Sequence, residues 1–207
     1  MTRTTARATI QAALKAPLRA YGWQPRAAGW FTREVRGPWL GVLAVSTATK
    51  YSPAGHADAT VHVGLHHKQV ESEVARLAGV APSYQRRTVL TSIGYLMPQR
   101  RWTEWTVDPA TAAHTAAAMA DAIHRYAEPY LASVAAEPAA ALAAERRHWL
   151  DGSVVELARL LSVSQILEGQ DLASLIPEIR SRLAGLDDPA TRMKLELLER
   201  IQTQPHT

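Results

Sequence analysis

The hydrophobic rhythm of the chain changes near its middle. Between residue 30 and about residue 107, apolar residues come in short runs or alternate with polar ones. From residue 108 onward they recur at helical spacing. The first pattern predicts strands and the second amphipathic helices. Ahead of both, Ile10, Leu14 and Leu18 predict a helix over Thr4–Tyr21, closed at Gly22 and kinked or ended at Pro17. Trp30–Val35 reads as a first strand and Gly37-Pro38 as the turn after it. Trp39–Thr47 is nearly continuous apolar sequence, the pattern of a strand covered on both faces. A loop follows over Tyr51–Gly55. Asp58–His67 then alternates, with Ala59, Val61, Val63 and Leu65 on one face and Asp58, Thr60, His62, Gly64 and His66 on the other. This predicts a half-buried strand in which Thr60 and His62 are more exposed than the valines. Gln69–Ala78 reads as a short helix ending at Gly79. Ser92–Met97 and Trp102–Val107 read as two further strands around a Pro98–Arg101 turn.

The second half is predicted to be helical. Asp108 is expected as an N-cap with Pro109 at the first helical position, and Ala112, Ala116, Met119, Ile123 and Tyr126 as an apolar stripe interrupted at Pro129. Pro138–Leu150 is a further helix. Ser153 and Glu156 form a capping box for one that stops at Gly169. Asp171 opens a segment kinked at Pro177 and closed at Gly185. Asp188-Pro189 opens the last helix, with Met193, Leu197 and Ile201 on one stripe. The expected fold class is therefore α+β: an antiparallel sheet of about five strands flanked by helices, then a C-terminal helical region. The expected division is residues 1–135 and 136–207.

Composition narrows the function classes. The 207 residues are 47% hydrophobic and 20% charged, which suits a folded protein and not a disordered one. There is no cysteine, so disulfides, thiolate nucleophiles and cysteine-held zinc are excluded. There is also no asparagine, which removes N-glycosylation. Rich alanine and arginine beside scarce lysine point to a GC-rich bacterial genome. The opening residues are polar and basic, unlike a secretory signal, and no stretch has the length and apolarity of a membrane span. A cytoplasmic protein without membrane attachment is the expectation. The net charge of +4 hides an asymmetry. Residues 1–107 hold 14 Lys and Arg against 5 Asp and Glu, and residues 108–207 hold 9 against 14. Such a split suits either an anionic partner or two faces that attract each other.

The standard catalytic and phosphate-binding signatures are absent, and no cofactor is implied. Four constellations remain. His62 and His66 share a strand face with Asp58, but four residues of strand separate their Cα atoms by roughly 13 Å, too far for a shared metal. A solvated sheet face accounts for them better. Asp121, His124 and Glu128 share a helix face. Without a second such element this fits an exposed helix better than a di-metal site. Arg86, Arg87, Arg100 and Arg101, with Tyr84 and Trp102 nearby, offer guanidinium forks suited to phosphate or carboxylate. They equally suit exposed loop charge. Trp23, Trp30, Trp39, Trp102 and Trp105 all fall in the strand region, where aromatics are usually packing groups.

Several of these segments form a recognisable series. They are Tyr21-Gly22-Trp23, Trp30-Phe31-Thr32-Arg33, the strand Leu40–Thr47, Val61-His62-Val63-Gly64-Leu65, Ile93-Gly94-Tyr95-Leu96-Met97-Pro98 with Trp102 and Trp105, and Ala127-Glu128-Pro129-Tyr130-Leu131. Over about residues 5–135 the series resembles a bacterial domain family of unknown function, DUF4304. It departs where that family often carries Gln in the second strand and Asn in the third, positions taken here by Ser or Thr and by His62. The resemblance implies an α+β fold and no particular activity.

The expected function is that of a non-enzymatic binding or regulatory module acting through a macromolecular partner, a protein or a second copy of the chain. A role of the immunity or toxin-system type would suit it. The alternative is an enzyme or sensor that handles a phosphorylated or nucleotide ligand, or a nucleic acid, through Arg86, Arg87, Arg100, Arg101, His62 and His66. No catalytic residue and no metal ligand is assigned.

Overall fold

A computed structural model describes residues 3–48, 52 and 56–203. Its elements, in chain order, are α1 (Arg3–Ala20), β1 (Gln24–Pro25), β2 (Trp30–Arg36), β3 (Trp39–Ala48), β4 (Ala57–His67), α2 (Lys68–Ala78), β5 (Val89–Ser92), α3 (Ile93–Leu96), β6 (Trp105–Val107), α4 (Ala112–Ala122), α5 (Glu128–Ala136), α6 (Ala139–Asp151), α7 (Val154–Ile166), α8 (Leu172–Leu183) and α9 (Pro189–Thr203). The fold is α+β. The chain divides into two units, residues 1–66 with 89–138 and residues 67–88 with 139–207. The second unit thus holds α2 as well as the C-terminal helices, where the sequence pattern suggests residues 136–207 alone.

The first unit carries an antiparallel sheet in the order β1-β2-β3-β4-β5, and β6 also pairs with β4. The expected loop over Tyr51–Gly55 lies, apart from Ser52, outside the described residues. On β3, Val42, Leu43, Ala44 and Val45 are all buried, as an apolar run predicts. On β4, Val61, Val63 and Leu65 are fully buried, and each removes enough apolar surface from water to contribute roughly 1.5–3 kcal/mol.

The other face of β4 departs from expectation. Thr60 is only 7% exposed, and its hydroxyl donates to the carbonyl of Thr103, which comes back over it, at 3.3 Å. The two expected strands after it also change. Ser92–Met97 is strand only up to Ser92; it then turns into the one-turn helix α3. There is no hairpin between them: β5 pairs with His62–Leu65 and β6 with Ala57–Ala59. Gly94 explains the difference. A Cβ there would collide with the Arg101 carbonyl oxygen and would lie 2.8 Å from the Thr103 amide nitrogen, so the chain doubles back at this point onto backbone that only glycine can meet.

α1 places Ile10, Leu14 and Leu18 in the core and runs through Pro17 to Ala20. Gly22, at φ +82°, closes it while the Trp23 amide donates to the Leu18 carbonyl. α1 packs against α4, and α5 packs against β2. α4 begins at Ala112 with Thr111 as N-cap; Asp108 instead accepts from the Ala110 amide in the preceding turn. Helical conformation then continues past Pro129 into α5. It passes through a π turn, Ile123–Ala127, whose wider winding accommodates the ring and the missing N–H of that proline.

The second unit is built on α7, which packs against α2, α6, α8 and α9. Every residue from Leu157 to Ser164 is buried, so this helix is covered all round. Its capping box at Ser153 and Glu156 is formed. The stripe of α9 differs from the expected one. Leu197 and Ile201 are buried, but Met193 is 53% exposed and Lys194 takes the inward place, donating to the Leu150 carbonyl at 2.9 Å.

Candidate functional site

The doubling back at Gly94 builds the surface on which most of the sequence-predicted residues of the first unit meet. β5 ends at Ser92, opposite His62 on β4. α3 follows, and at Gly94 it passes against residues 101–103 more closely than any Cβ would allow. Tyr95 on α3 and Trp102 on the returning segment are left 53% and 47% exposed, with Leu90 of β5 also exposed. The Trp102 ring lies 5.9 Å from that of His62, tilted by 58°, and its indole N–H donates to Glu104 at 2.9 Å. Arg100 and Arg101 precede Trp102. Both are exposed, and among the described residues neither guanidinium has a hydrogen-bond or ion-pair partner. Arg100 holds φ at +45°, a conformation rare for a residue with a side chain. His66 lies four positions along the strand from His62 and is half-exposed.

Arg86 and Arg87 belong to the second unit and meet different surroundings. Arg86 donates to the Ala81 carbonyl at 2.5 Å and so braces its own loop. Arg87 is half-buried. Burial pushes its guanidinium below the ordinary range, repulsion from Arg159 adds to this, and Glu71 partly offsets it. Beside it stands a buried ion pair. Arg159 donates to the two oxygens of Glu71 at 2.8 and 3.1 Å, and the Thr88 hydroxyl donates to Glu71 at 3.0 Å. His67, expected on the strand face opposite His66, is buried here and caps α2 by accepting from the Val70 amide at 3.3 Å.

The helix-face set Asp121, His124 and Glu128 also resolves into separate partnerships. Asp121 pairs with Arg125. Glu128 accepts from the Trp23 indole at 3.0 Å, forms an ion pair with Arg33 at 2.6 Å and meets His124 Nδ1 at 3.0 Å. His124 stacks on Tyr21 with ring centroids 4.2 Å apart. Because both carboxylate oxygens are engaged, this cluster clamps the end of α1, β2 and the long helix together. Among the described residues no three or more His, Asp or Glu side chains are grouped as a metal ion would need. The sequence pattern put the helix-face residues in one group but did not join them to Tyr21, Trp23 and Arg33, which are about a hundred residues away in the chain. No helix of the described residues is long and apolar enough to cross a membrane.

No family model, curated protein or solved structure matches the chain.

What the first-unit surface can do chemically follows from its groups. Two aromatic rings and a leucine offer apolar contact area. Two unpaired guanidiniums offer forked donors to carboxylate or phosphate. His62, half-exposed against the Trp102 ring, adds a third ring to this surface.

Proposed function

We propose that the protein is a non-enzymatic binding module that acts through an acidic protein partner, and that it meets this partner with the surface formed by Leu90, Tyr95, Arg100, Arg101 and Trp102. The observation that carries the reading is the pairing of two half-exposed aromatic rings with two unpartnered arginines on one backbone fold-back. Aromatic residues and arginine are the groups most enriched at the centres of protein interfaces, because they bring large contact area and desolvated forked bonding together. Lone exposed aromatics on a soluble surface need no explanation; a cluster of them beside free cations does. The unit that carries this surface holds 11 Lys and Arg against 7 Asp and Glu, and this basic excess gives such a partner an attractive field.

The test places a photo-crosslinking amino acid at Tyr95 in the full chain and captures partners from the native host. The expected result is one acidic protein that crosslinks at that position and is lost when Trp102→Ala is combined with Arg100→Glu and Arg101→Glu. A crosslinked set unchanged by those substitutions overturns the reading. So does salt-sensitive, tight binding of labelled oligonucleotides that depends on the same three residues, because the surface would then belong to a nucleic acid.

A further inference from the structure

The second unit contains a groove with a different chemistry. It has a volume of about 620 Å³ and lies among α6, α7 and α8, within the usual size range of small-molecule sites. Its floor is aliphatic, with Leu150, Leu160, Leu175 and Ile179. Most of the charged groups on its walls are already engaged. Arg146 bonds Glu168 and Ser164, Arg182 pairs with Glu178, and Asp171 caps α8 through the Ala173 amide. Two are not. Among the described residues Arg147 and Asp151 have no hydrogen-bond or ion-pair partner, although both line the groove. They stand four apart on α6, so their Cβ atoms are roughly 6 Å apart on one helix face. A groove with one free cation, one free anion and an aliphatic floor between helices is complementary to a short zwitterion with apolar side chains.

We propose that this groove binds a di- or tripeptide with aliphatic side chains and free termini. Its carboxylate meets Arg147, its ammonium meets Asp151, and its side chains lie on Leu150, Leu160, Leu175 and Ile179. Two or three extended residues span roughly 7–10 Å, a separation that the flexible arginine and the shorter aspartate can bracket.

The test is isothermal titration of the full-length protein with Leu-Leu and Leu-Leu-Leu at millimolar concentration. Controls are the N-acetylated, the C-amidated and the doubly blocked peptides. The expected result is saturable binding of the free peptides, weakened about tenfold by blocking either terminus, as loss of one charge-assisted bond implies. Arg147→Ala should remove the preference for a free carboxylate, and Asp151→Ala the preference for a free amine. Both positions are exposed, so neither substitution threatens the fold, and a circular-dichroism melt checks this. Equal binding of blocked and free peptides overturns the proposal by reducing the groove to a greasy surface, and absence of binding overturns it outright.

Discussion

Removing the Glu71 carboxylate is the perturbation whose cost can be worked out most directly. Glu71 and Arg159 are 1% and 8% exposed at their side chains and meet in a two-bond fork, with Thr88 donating to the same carboxylate. Glu71→Ala therefore strands a buried guanidinium, deprives Thr88 of its acceptor and leaves Arg87 facing Arg159 without the intervening negative charge. Breaking a buried pair from one side typically costs about 3–5 kcal/mol, and the second cation places this site toward the upper end. Arg159→Met should fall lower in that range, because Glu71 keeps the Thr88 bond. The double substitution Glu71→Leu with Arg159→Met should recover most of the loss, since a buried pair replaced by hydrophobes of similar volume is often neutral. Because the chain has two units, global unfolding need not be a single step. Native-state hydrogen exchange at the amides of α2 and α7 is the appropriate assay, since it reads the second unit directly. A Glu71→Ala cost under about 1 kcal/mol, or a double variant no more stable than the worse single one, would refute the reasoning.

Two further outcomes test other parts of the structure. Gly94→Ala should destabilise the first unit by about 1–3 kcal/mol or more, because its Cβ meets backbone at Arg101 and Thr103 as well as the Thr103 hydroxyl, and the backbone cannot swing away; a thermal melt with Trp fluorescence checks this, and an unchanged midpoint would mean that the fold-back is loose. The carboxyl of Asp188 is held below the usual carboxylate range, chiefly by the Thr191 hydroxyl and then by the Thr191 amide, as it caps α9. A depressed folded value stabilises above the unfolded value and is lost as pH falls through the folded one. Asp188 should therefore titrate by NMR below a model-peptide aspartate, and Thr191→Val should return it toward the ordinary range.

The fold was legible wherever local pattern and long-range packing agreed. The spacing of Ile10, Leu14 and Leu18, the alternation through Val61, Val63 and Leu65, and the Ser153–Glu156 box all state their conformation locally, and the structure follows them. The failures came where a distant segment decided the outcome. Ile93–Met97 carries apolar and aromatic residues that suit a strand, yet it winds into a helical turn because Gly94 must pass beneath residues 101–103. Thr60 reads as a solvent position by alternation and is covered by that same returning segment. Met193 and Lys194 exchange inward and outward places because the Leu150 carbonyl, on another helix, supplies the lysine with an acceptor.

The candidate site shows the same limit more sharply. In the sequence, Arg86-Arg87 and Arg100-Arg101 are indistinguishable: two adjacent arginines, each pair near an aromatic residue and flanking the same strand. What separates them is the supply of acceptors. Arg86 finds a carbonyl in its own loop, and Arg87 lies beside Glu71, whose fork with Arg159 joins positions 88 residues apart. Arg100 and Arg101 find none among the described residues. Their turn is set by backbone contact with Gly94, and the nearby carboxylate of Glu104 is engaged by the Trp102 indole. A charge that folding has already neutralised has little free energy left for a partner, whereas an unpaired fork retains nearly all of its bonding capacity. The two pairs therefore separate by their surroundings, for a reason that no local reading contains. Arg86 braces the loop that carries it and Arg87 is half-buried beside a second cation, whereas Arg100 and Arg101 keep exposed guanidiniums with no partner among the described residues.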